Sequence, residues 1–342
     1  MVFIAGDIKD LVLEADKHLE SQEDPDALLA EFEGLDDDEI EEMKRDWERS
    51  HKALAELSRI IPNFQKKIDE SEPGELSQFY ALLQVGANNA RSEDLHRIRK
   101  YLAEWLNHFH PMPSPLLDQD DRKNRGLGHD LTGRLLCPVE FNWDDLDIRA
   151  KLRACHPDYD WLSSYHARCL YAKYTGDARR LEDGFLKSPL LLQVFKCIYT
   201  SPSSAKGTFV DDEDSDENAQ PAQKVRKIAS RQGKPARRNV ATQVGMTTKV
   251  TPRSIAYAAV QLHFNLQASE NWSEILGGFD YRAFYNYIVD FFEDVDEPAA
   301  KKRAQALLSW WSTRIFPAAA IHHQPNTVAS RKAMKAQRAA RI

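Results

Sequence analysis

The stretch NRGLGHDLTGRLLCPVEFNWDD, residues 124–145, combines three glycines, a Cys-Pro step and several large apolar side chains. Glycine permits backbone angles that other residues resist, so the closely spaced Gly126 and Gly128 raise the question of a phosphate-binding turn. The dinucleotide pattern requires a third glycine three residues after the second, at the start of a helix that follows a strand. Leu131 stands at that position and the residues upstream are polar. The stretch therefore predicts a structured loop that inserts its apolar side chains into a helical core: Leu135, Leu136, Val139, Phe141 and Trp143.

Composition sets the scale of the protein. The chain has 342 residues, 42% of them hydrophobic, enough for one large or two ordinary domains. The net charge of −7 is unevenly distributed, because residues 1–75 hold 23 acidic and nine basic side chains, whereas residues 298–342 hold nine basic side chains and no acid. This asymmetry predicts an acidic N-terminal segment (residues 1–38) and a basic C-terminal tail (residues 317–342).

The compartment follows from cysteine usage and from the apolar runs. Four cysteines in a chain of this length do not form a disulfide framework. The start, MVFIAGDIKD, lacks the basic segment of a signal peptide, and no run approaches the ~18 apolar residues of a membrane span. These features predict a soluble protein of the nucleus or cytoplasm without membrane association.

A long helix is predicted after Asp36, Asp37 and Asp38, which offer N-caps. Apolar residues recur at alternating intervals of three and four over residues 40–68, the spacing of a heptad seam with Ser50 as its polar position. Pro62 is expected to kink or break the helix. One interpretation is an intermolecular coiled coil that binds a protein partner. The other is a helix that folds back on its own domain, which the short, proline-containing seam favours.

The remaining N-terminal region, within residues 39–110, predicts two more helices, at residues 75–85 and from Ser92 to Phe109. A proline-rich spacer at residues 111–123 then separates this region from the first half of a core domain, residues 124–200. Within that half, a helix is expected from residue 158 or 160 to about residue 176. The helix after the Ser188-Pro189 cap is apolar on nearly all sides, which predicts a buried position.

Residues 201–250 predict a disordered linker, because long apolar side chains are few and charges are segregated. Six of the seven residues at 211–217 are acidic, whereas residues 224–238 hold seven basic residues and no acid. The second half of the core domain is predicted at residues 251–316, with helices capped by Thr251 and Asp280. We expect the two halves to fold together, since the apolar helix of the first half needs apolar partners.

Several of these segments resemble one family. The strings GHDLTGRLLCPVEFNW (128–143), HPDYDW (156–161) and KSPLLLQVFKCIYTSPSSA (187–205) resemble a family of uncharacterised proteins expanded in mushroom-forming fungi. After the predicted linker, RRNVATQVGMTTKVTPRSIAYAAVQLHF (237–264), FYNYIVDFF (284–292) and LLSWW (307–311) continue the resemblance. It covers about residues 121–316. The resemblance implies a domain of unknown function and supplies no catalytic residue.

The cysteines and histidines of the middle segment raise the question of a metal or nucleophile site. His166 and Cys169 are three residues apart, but zinc sites usually have such pairs at both ends, and a buried cysteine commonly serves as a small hydrophobic residue. A Cys–His nucleophile pair, such as His129 with Cys137, is defined in space and has no local signature here. We therefore assign no catalytic, cofactor or metal residue. The candidate zinc ligands considered are Cys137, Cys155, His156, His166 and Cys169.

The basic run KVRKIASRQGKPARR is the clearest functional signal. Basic clusters in a flexible segment are typical of nuclear import signals and nucleic-acid contacts, and the alternative is a solvated spacer. The predicted nucleic-acid contacts are Lys224, Arg226, Lys227, Arg231, Lys234, Arg237 and Arg238. The sequence thus predicts an all-α protein with a disordered charged linker. Its leading function is a non-enzymatic interaction protein, with weak, sequence-independent nucleic-acid binding as the alternative and an enzyme third.

Overall fold

The computed structural model describes residues 8–24, 26–205 and 239–317, together with Met334, Gln337 and Arg338. Its described part is helical apart from one small hairpin and irregular connections, which confirms the predicted all-α class. The first six helices are α1 (Ile8–Glu23), α2 (Asp37–Ile60), α3 (Phe64–Glu70), α4 (Pro73–Leu106), α5 (Asp130–Leu136) and α6 (Leu146–Arg153). The next six are α7 (Pro189–Tyr199), α8 (Pro202–Ala205), α9 (Val240–Gln243), α10 (Pro252–Leu266), α11 (Tyr281–Glu293) and α12 (Pro298–Ile315). The hairpin pairs β1 (Ile275–Leu276) with β2 (Phe279–Asp280) in antiparallel register.

Helix α10 lies at the centre of the larger hydrophobic core. Every residue from Ser254 to Leu266 is buried, and the helix packs against α4, α7 and α11. It begins as predicted, because the Thr251 hydroxyl accepts from the backbone N–H of Ser254 and Pro252 occupies the first helical position. Since α7 precedes residues 206–238 and α10 follows them, the two flanks of that segment share one core.

Two buried arginines close the C-terminal end of α10. Arg122 donates to the carbonyl oxygens of Phe264 and Gln267, and Arg125 donates to the carbonyl oxygen of Asn265 at 2.9 Å. Carbonyl groups at a helix C-terminus lack intrahelical partners and carry partial negative charge, so they suit a guanidinium group. Burial and the nearby arginines lower the pKa of Arg122 to about 9. Arg122, just before the stretch 124–145, and Arg125, at its start, therefore hold the central helix by polar contacts.

The stretch 124–145 forms α5 and a tightly packed loop around Trp143, which is fully buried. Gly126 has a φ of +72°, and its carbonyl oxygen accepts from the Thr132 hydroxyl at 2.7 Å. Gly133 lies so close to the Trp143 indole that a Cβ atom would overlap it. The two glycines therefore serve a turn and a close helix–indole approach. The stretch is packed into the core as predicted, but Leu135 and Leu136 lie on the short helix α5 and not in a loop.

The N-terminal helices form a second layer. Helix α2 starts at a capping box in which Asp36 and Glu39 exchange hydrogen bonds with each other's backbone N–H. It ends at Ile60, shortly before Pro62, as the sequence predicts. The cap explains why α2 begins where it does even though its seam is only partly buried.

The heptad seam of α2 faces α1 of the same chain. Of the two interpretations of the seam, this arrangement is the helix that folds back on its own domain. Trp47 and Ser50 are buried, and the Ser50 hydroxyl donates to Glu14 Oε2 at 2.6 Å. A small cluster of Ile8, Val12 and Tyr80, on α1 and α4, is flanked by half-buried seam residues. Residues 40–68 are thus engaged within the chain.

Helix α4 replaces the two helices predicted at residues 75–85 and 92–109, because it runs without a break from Pro73 to Leu106. Ser92, predicted as an N-cap, lies in its interior. The intervening residues, including the exposed Gly86, lower helix propensity without a proline to interrupt it. The N-terminal half of α4 packs with the small cluster, whereas Ile98, Leu102 and Trp105 lie in the larger core. One helix therefore connects both layers.

The prediction of a helix from residue 158 or 160 to about residue 176 is wrong. The structure instead has short 3₁₀ turns at Pro157–Tyr159, Arg168–Leu170 and Ala172–Tyr174. Three consecutive residues, Cys169 to Tyr171, are fully buried, which one face of a surface helix does not provide. Backbone pairing across the bridge from Ala167 to Pro138 holds this segment extended. The helix-like spacing of its apolar residues arises because this segment is buried from several sides.

The predicted linker, residues 201–250, is ordered at both margins. Ala205 at one end and Ala241, Met246 and Val250 at the other are buried in the larger core. The short helices α8 and α9 lie within the predicted linker. The packed region therefore includes residues that composition assigns to the linker. Residues 206–238 lie outside the described residues.

Candidate functional site

The sequence-predicted site residues fall in two groups. All seven predicted nucleic-acid contacts, residues 224–238, lie outside the described residues. For the candidate zinc ligands, the described part of the chain contains no group of three or more His, Cys, Asp or Glu side chains placed to hold a metal ion. Cys155 is exposed, Cys169 is fully buried, and the side chain of His156 accepts from the backbone N–H of Asp158. The side chain of His166 points to other partners, described below.

His129 and Cys137 do not form a nucleophile pair. His129 Nε2 lies 2.8 Å from the carbonyl oxygen of Pro115, and its Nδ1 accepts from the backbone N–H of Leu131 as the cap of α5. Burial raises the pKa of the Cys137 thiol to about 11, although Arg168 opposes the shift. Both ring nitrogens of His129 are engaged with backbone atoms of Pro115 and Leu131 and not with the thiol.

Three side chains that the sequence did not bring together form a hydrogen-bonded relay: Glu140, His166 and Tyr287. His166 Nδ1 lies 2.7 Å from Glu140 Oε1, and His166 Nε2 lies 2.7 Å from the Tyr287 hydroxyl. Glu140 also accepts from the Ser164 hydroxyl at 3.2 Å. The side chains of His166 and Glu140 are 16% and 31% exposed, so the relay reaches the surface of the protein.

The backbone positions the relay. The N–H of Val139 donates to the carbonyl oxygen of His166 at 3.0 Å, which places Glu140 beside the histidine ring. Tyr287 comes from the middle of α11, whose start is fixed by Asp280, the predicted N-cap. The relay therefore links the end of the stretch 124–145 and the extended segment around Ala167 to the helix packed on α10.

The electrostatics of the relay favour an ionised Glu140 and a protonated Tyr287. Burial opposes ionisation of Glu140, but hydrogen bonds from His166 and Ser164 outweigh it, so the pKa of Glu140 is lowered. Burial raises the pKa of Tyr287, and the negative charges of Glu140 and Glu182 raise it further. A carboxylate that orients a histidine, which in turn contacts a hydroxyl, is the arrangement of a nucleophile–base–orienting group triad.

A second surface, the Trp310 face, consists of Lys187, Lys196, Trp310 and Arg314. The Lys187 ammonium lies 5.8 Å and the Arg314 guanidinium 4.1 Å from the centre of the Trp310 ring, within cation–π range. Burial lowers the pKa of Lys196, and the positive charge of Arg314 lowers it further. The face lies on α7, α12 and the residue that precedes the cap of α7, and its three charged side chains are all basic.

The sequence contained the members of both sites without revealing their neighbours. Glu140 and Tyr287 stand within the strings CPVEF and FYNYIVDFF, and Trp310 within LLSWW. The spacing of His166 and Cys169 indicates only a candidate metal ligand at His166. The partners of His166 lie 26 and 121 positions away along the chain. Polar spacing alone gives no signal for contacts of that range.

A family model described as a family of unknown function (DUF6698) matches residues 85–316. The chain belongs to this family. The match ends at Phe316, as the resemblance drawn from the sequence does, and begins within α4, earlier than that resemblance. It includes the relay and the Trp310 face and excludes α1 to α3. No curated protein and no solved structure matches the chain.

Among the described residues, no helix is long and apolar enough to cross a membrane.

Proposed function

We propose that the protein binds nucleic acid without sequence preference through the Trp310 face. One observation carries the proposal: the Trp310 ring holds two cations, Lys187 and Arg314, on a folded surface. The sequence predicted nucleic-acid binding through the basic run at residues 224–238 as the alternative function. The ordered contacts are those of the Trp310 face, and the basic run makes an additional, separate contribution.

The chemistry of the face fits phosphate groups better than bases. Trp310 is contacted by cations, so its ring restricts their positions and is not a free platform on which a base stacks. Arginine presents paired donors that match phosphate oxygens, and lysine supplies a compact charge. Contacts of this kind fix a protein on the backbone but carry no sequence information. We therefore expect weak binding that depends strongly on salt.

The test is fluorescence anisotropy with a labelled DNA duplex of mixed sequence and its single strand, over a salt series. If three phosphates are neutralised, the log–log salt slope on the duplex is expected to be about −2.7. Lys187→Gln with Arg314→Gln is expected to weaken binding at least tenfold. The control, Lys66→Gln with Lys67→Gln in α3, makes the same charge change in the other layer and is expected to leave affinity within about twofold.

Two results with the wild type and these double variants would overturn the proposal. One is the absence of wild-type binding at low salt. The other is an equal loss of affinity in the two double variants, which would reduce the effect to net charge. A variant that neutralises the seven basic residues at 224–238 measures their separate contribution in the same assay. If that variant alone abolishes binding, the linker and not the Trp310 face is the contact.

Protein interaction through α2, the leading prediction from the sequence, is the second candidate. It is favoured by the acidic surface of α1 and α2, which lie outside the family match. Because the seam contacts α1, a partner helix must displace α1 to use it. Hydrogen exchange of the full chain tests this requirement. Rapid exchange of α1 with slow exchange in the larger core would support an opening layer, whereas equal protection would exclude it.

A further inference from the structure

The relay has an arrangement of side chains that binding to a polyanion does not require. We infer that Tyr287 is a nucleophilic tyrosine and a modification site for a neutral acyl donor, with His166 as its base and Glu140 as the positioning residue. This inference is independent of the Trp310 face, because it concerns different side chains and needs no nucleic acid.

The proton positions follow from the chemistry of the three groups. An ionised carboxylate only accepts hydrogen bonds, so the bond to Glu140 requires a proton on His166 Nδ1. In the neutral ring this leaves Nε2 with a lone pair, and the bond at 2.7 Å must then be donated by the Tyr287 hydroxyl. The relay thus aligns a phenol proton with a base whose tautomer is fixed by its other partner.

The charges around the phenol select the class of electrophile. Glu140 and Glu182 both place negative potential on Tyr287, which opposes the approach of a phosphate or carboxylate. Phe185 and Phe291 add apolar surface, since Phe185 lies edge-to-face on both Tyr287 and Phe291. A neutral carbonyl compound meets neither repulsion nor a desolvation cost for charge. The surroundings therefore fit an uncharged acyl donor better than an anionic one.

N-Acetylimidazole is a suitable probe because it is neutral and acylates phenols. In the expected step the Tyr287 hydroxyl oxygen attacks the acetyl carbon and its proton passes to His166 Nε2. The bond from the acetyl carbon to imidazole nitrogen breaks, and the electron pair leaves with the imidazole. The leaving group takes the proton from His166, which returns the histidine to its neutral form and leaves an acetylated Tyr287.

The alternative is that the three groups only tie the loop at Glu140 to α11. An internal control separates the two. Tyr165 lies 5.3 Å from Tyr287, ring centre to ring centre, is also partly buried, and has its pKa raised by burial. Within the described residues, no histidine is hydrogen-bonded to its hydroxyl. If exposure and burial alone set the reactivity, the two tyrosines are expected to be acetylated at similar rates.

The experiment treats the full chain with N-acetylimidazole near neutral pH, where a free phenol is almost wholly protonated, and measures acetylation of each tyrosine peptide by mass spectrometry over time. Tyr287 is expected to react at least ten times faster than Tyr165, since general base catalysis contributes about 10²–10⁴-fold in favourable sites. His166→Gln is expected to remove the difference and Glu140→Gln to reduce it several-fold. Tyr287→Phe is expected to abolish the label on that peptide alone.

Thermal melts of the same samples accompany the rates, because a merely structural role would move the melt and not the ratio of the two tyrosines. Equal rates for Tyr287 and Tyr165 in the wild-type chain would overturn the inference. So would an unchanged ratio in folded His166→Gln. If His166→Gln does not fold, Glu140→Gln decides the question, and an unchanged ratio in that variant rejects the role of the relay.

Discussion

The larger core contains buried residues between Ile98 and Ile315 in the chain. The small cluster of the N-terminal layer contains three buried residues, Ile8, Val12 and Tyr80. The larger core surrounds a helix, α10, whose residues from Ser254 onward are buried on all sides. The N-terminal cluster relies on half-buried residues along α2 and on charged contacts. Burial of apolar area contributes most of the free energy of folding, so the two layers are expected to differ in stability.

Ion pairs join the N-terminal layer to α11. Arg49 of α2 contacts Asp290 at 2.5 Å, and Arg282 contacts Glu14 of α1 at 3.5 Å. Such contacts are directional and weaken as salt screens them. Helices of the larger core are therefore held by apolar packing on all sides. Helices of the N-terminal layer are held by a half-buried seam and by ion pairs. The N-terminal layer is therefore expected to open before the larger core unfolds.

The largest expected effect is in the larger core, at Trp311. Its side chain is fully buried, and its Nε1 donates to the carbonyl oxygen of Leu186 at 3.0 Å. Trp311→Ala leaves a cavity and an unpaired carbonyl, so the free energy of unfolding is expected to fall by about 3–5 kcal/mol. Urea denaturation followed by circular dichroism measures this change. If Trp311→Ala lowered the free energy of unfolding by less than an alanine substitution of a half-buried residue of α2, the two layers would not differ in stability as expected.

The next effect depends on pH and concerns Asp94, on the part of α4 that enters the larger core. Burial raises its pKa from 3.8 to about 6, against the opposing hydrogen bond from Tyr257 and the charge of Arg97. A carboxyl whose pKa is raised on folding stabilises the folded state fully below the unfolded pKa. That contribution is lost as the pH rises from about 4 to about 6, because the unfolded chain ionises first.

Asp94→Asn removes this titration. The free energy of unfolding of the variant relative to the wild type is expected to rise by roughly 2.4 kcal/mol between pH 4 and pH 7, since each pKa unit corresponds to ~1.4 kcal/mol and the unfolded carboxyl is already partly ionised at pH 4. Urea denaturation at each pH measures it, and Asp120→Asn, at an exposed position, is the control. A difference that stays constant with pH would show that Asp94 does not titrate with a raised pKa.

These contrasts also show which parts of the molecule the sequence predicts. Caps depend on a few neighbouring residues, and Ser188, Thr251 and Asp280 cap helices as predicted. The uninterrupted α4 was missed because Ser92 gives the same local signal in a helix interior as at a cap. The extended segment around His166 was missed because its apolar residues, buried from several sides, have spacings that imitate a helix.

The candidate site was predicted less well than the fold, for a physical reason. Contacts such as those of His166 with Glu140 and Tyr287 depend on where three elements meet, which no local pattern encodes. The error at residues 158–176 added to this, because a helix there would have placed His166 beside Cys169. The basic linker was recognisable from composition, whereas the Trp310 face required the packing of α12 on α7.

A smaller loss is expected in the N-terminal layer, at Leu54 of the seam. The side chain is half-buried beside the small cluster, so Leu54→Ala is expected to lower the free energy of unfolding of this layer by about 1–2 kcal/mol, less than the 2–5 kcal/mol of a fully packed site. Hydrogen exchange of α1 and α2 reports the layer separately from the larger core. No change in that exchange would mean that the seam is free in the monomer.

The smallest effect tests the charged tie between Arg49 and Asp290. Their side chains are 17% and 30% exposed, and Arg49 also contacts Glu42 and Asp46, which remain available when Asp290 is removed. A double-mutant cycle with Arg49→Ala and Asp290→Ala is therefore expected to give a coupling energy of only about 0.5–1 kcal/mol. The burial of Arg49 places the value above the ~0.3 kcal/mol of an exposed helical pair such as Glu41 and Arg45.

Salt separates this tie from apolar packing. The screening length falls from about 10 Å at 0.1 M salt to about 3 Å at 1 M, so the Arg49–Asp290 coupling is expected to shrink as salt is raised through this range, whereas the loss in Trp311→Ala is not. The Glu41–Arg45 cycle serves as the matched control, because it lies on the same helix and joins no second layer. A coupling that is zero at low salt would mean that the Arg49–Asp290 ion pair does not help to attach the N-terminal layer. A coupling that persists unchanged in high salt would mean that the Arg49–Asp290 contact is shielded from solvent and is not a screened surface ion pair.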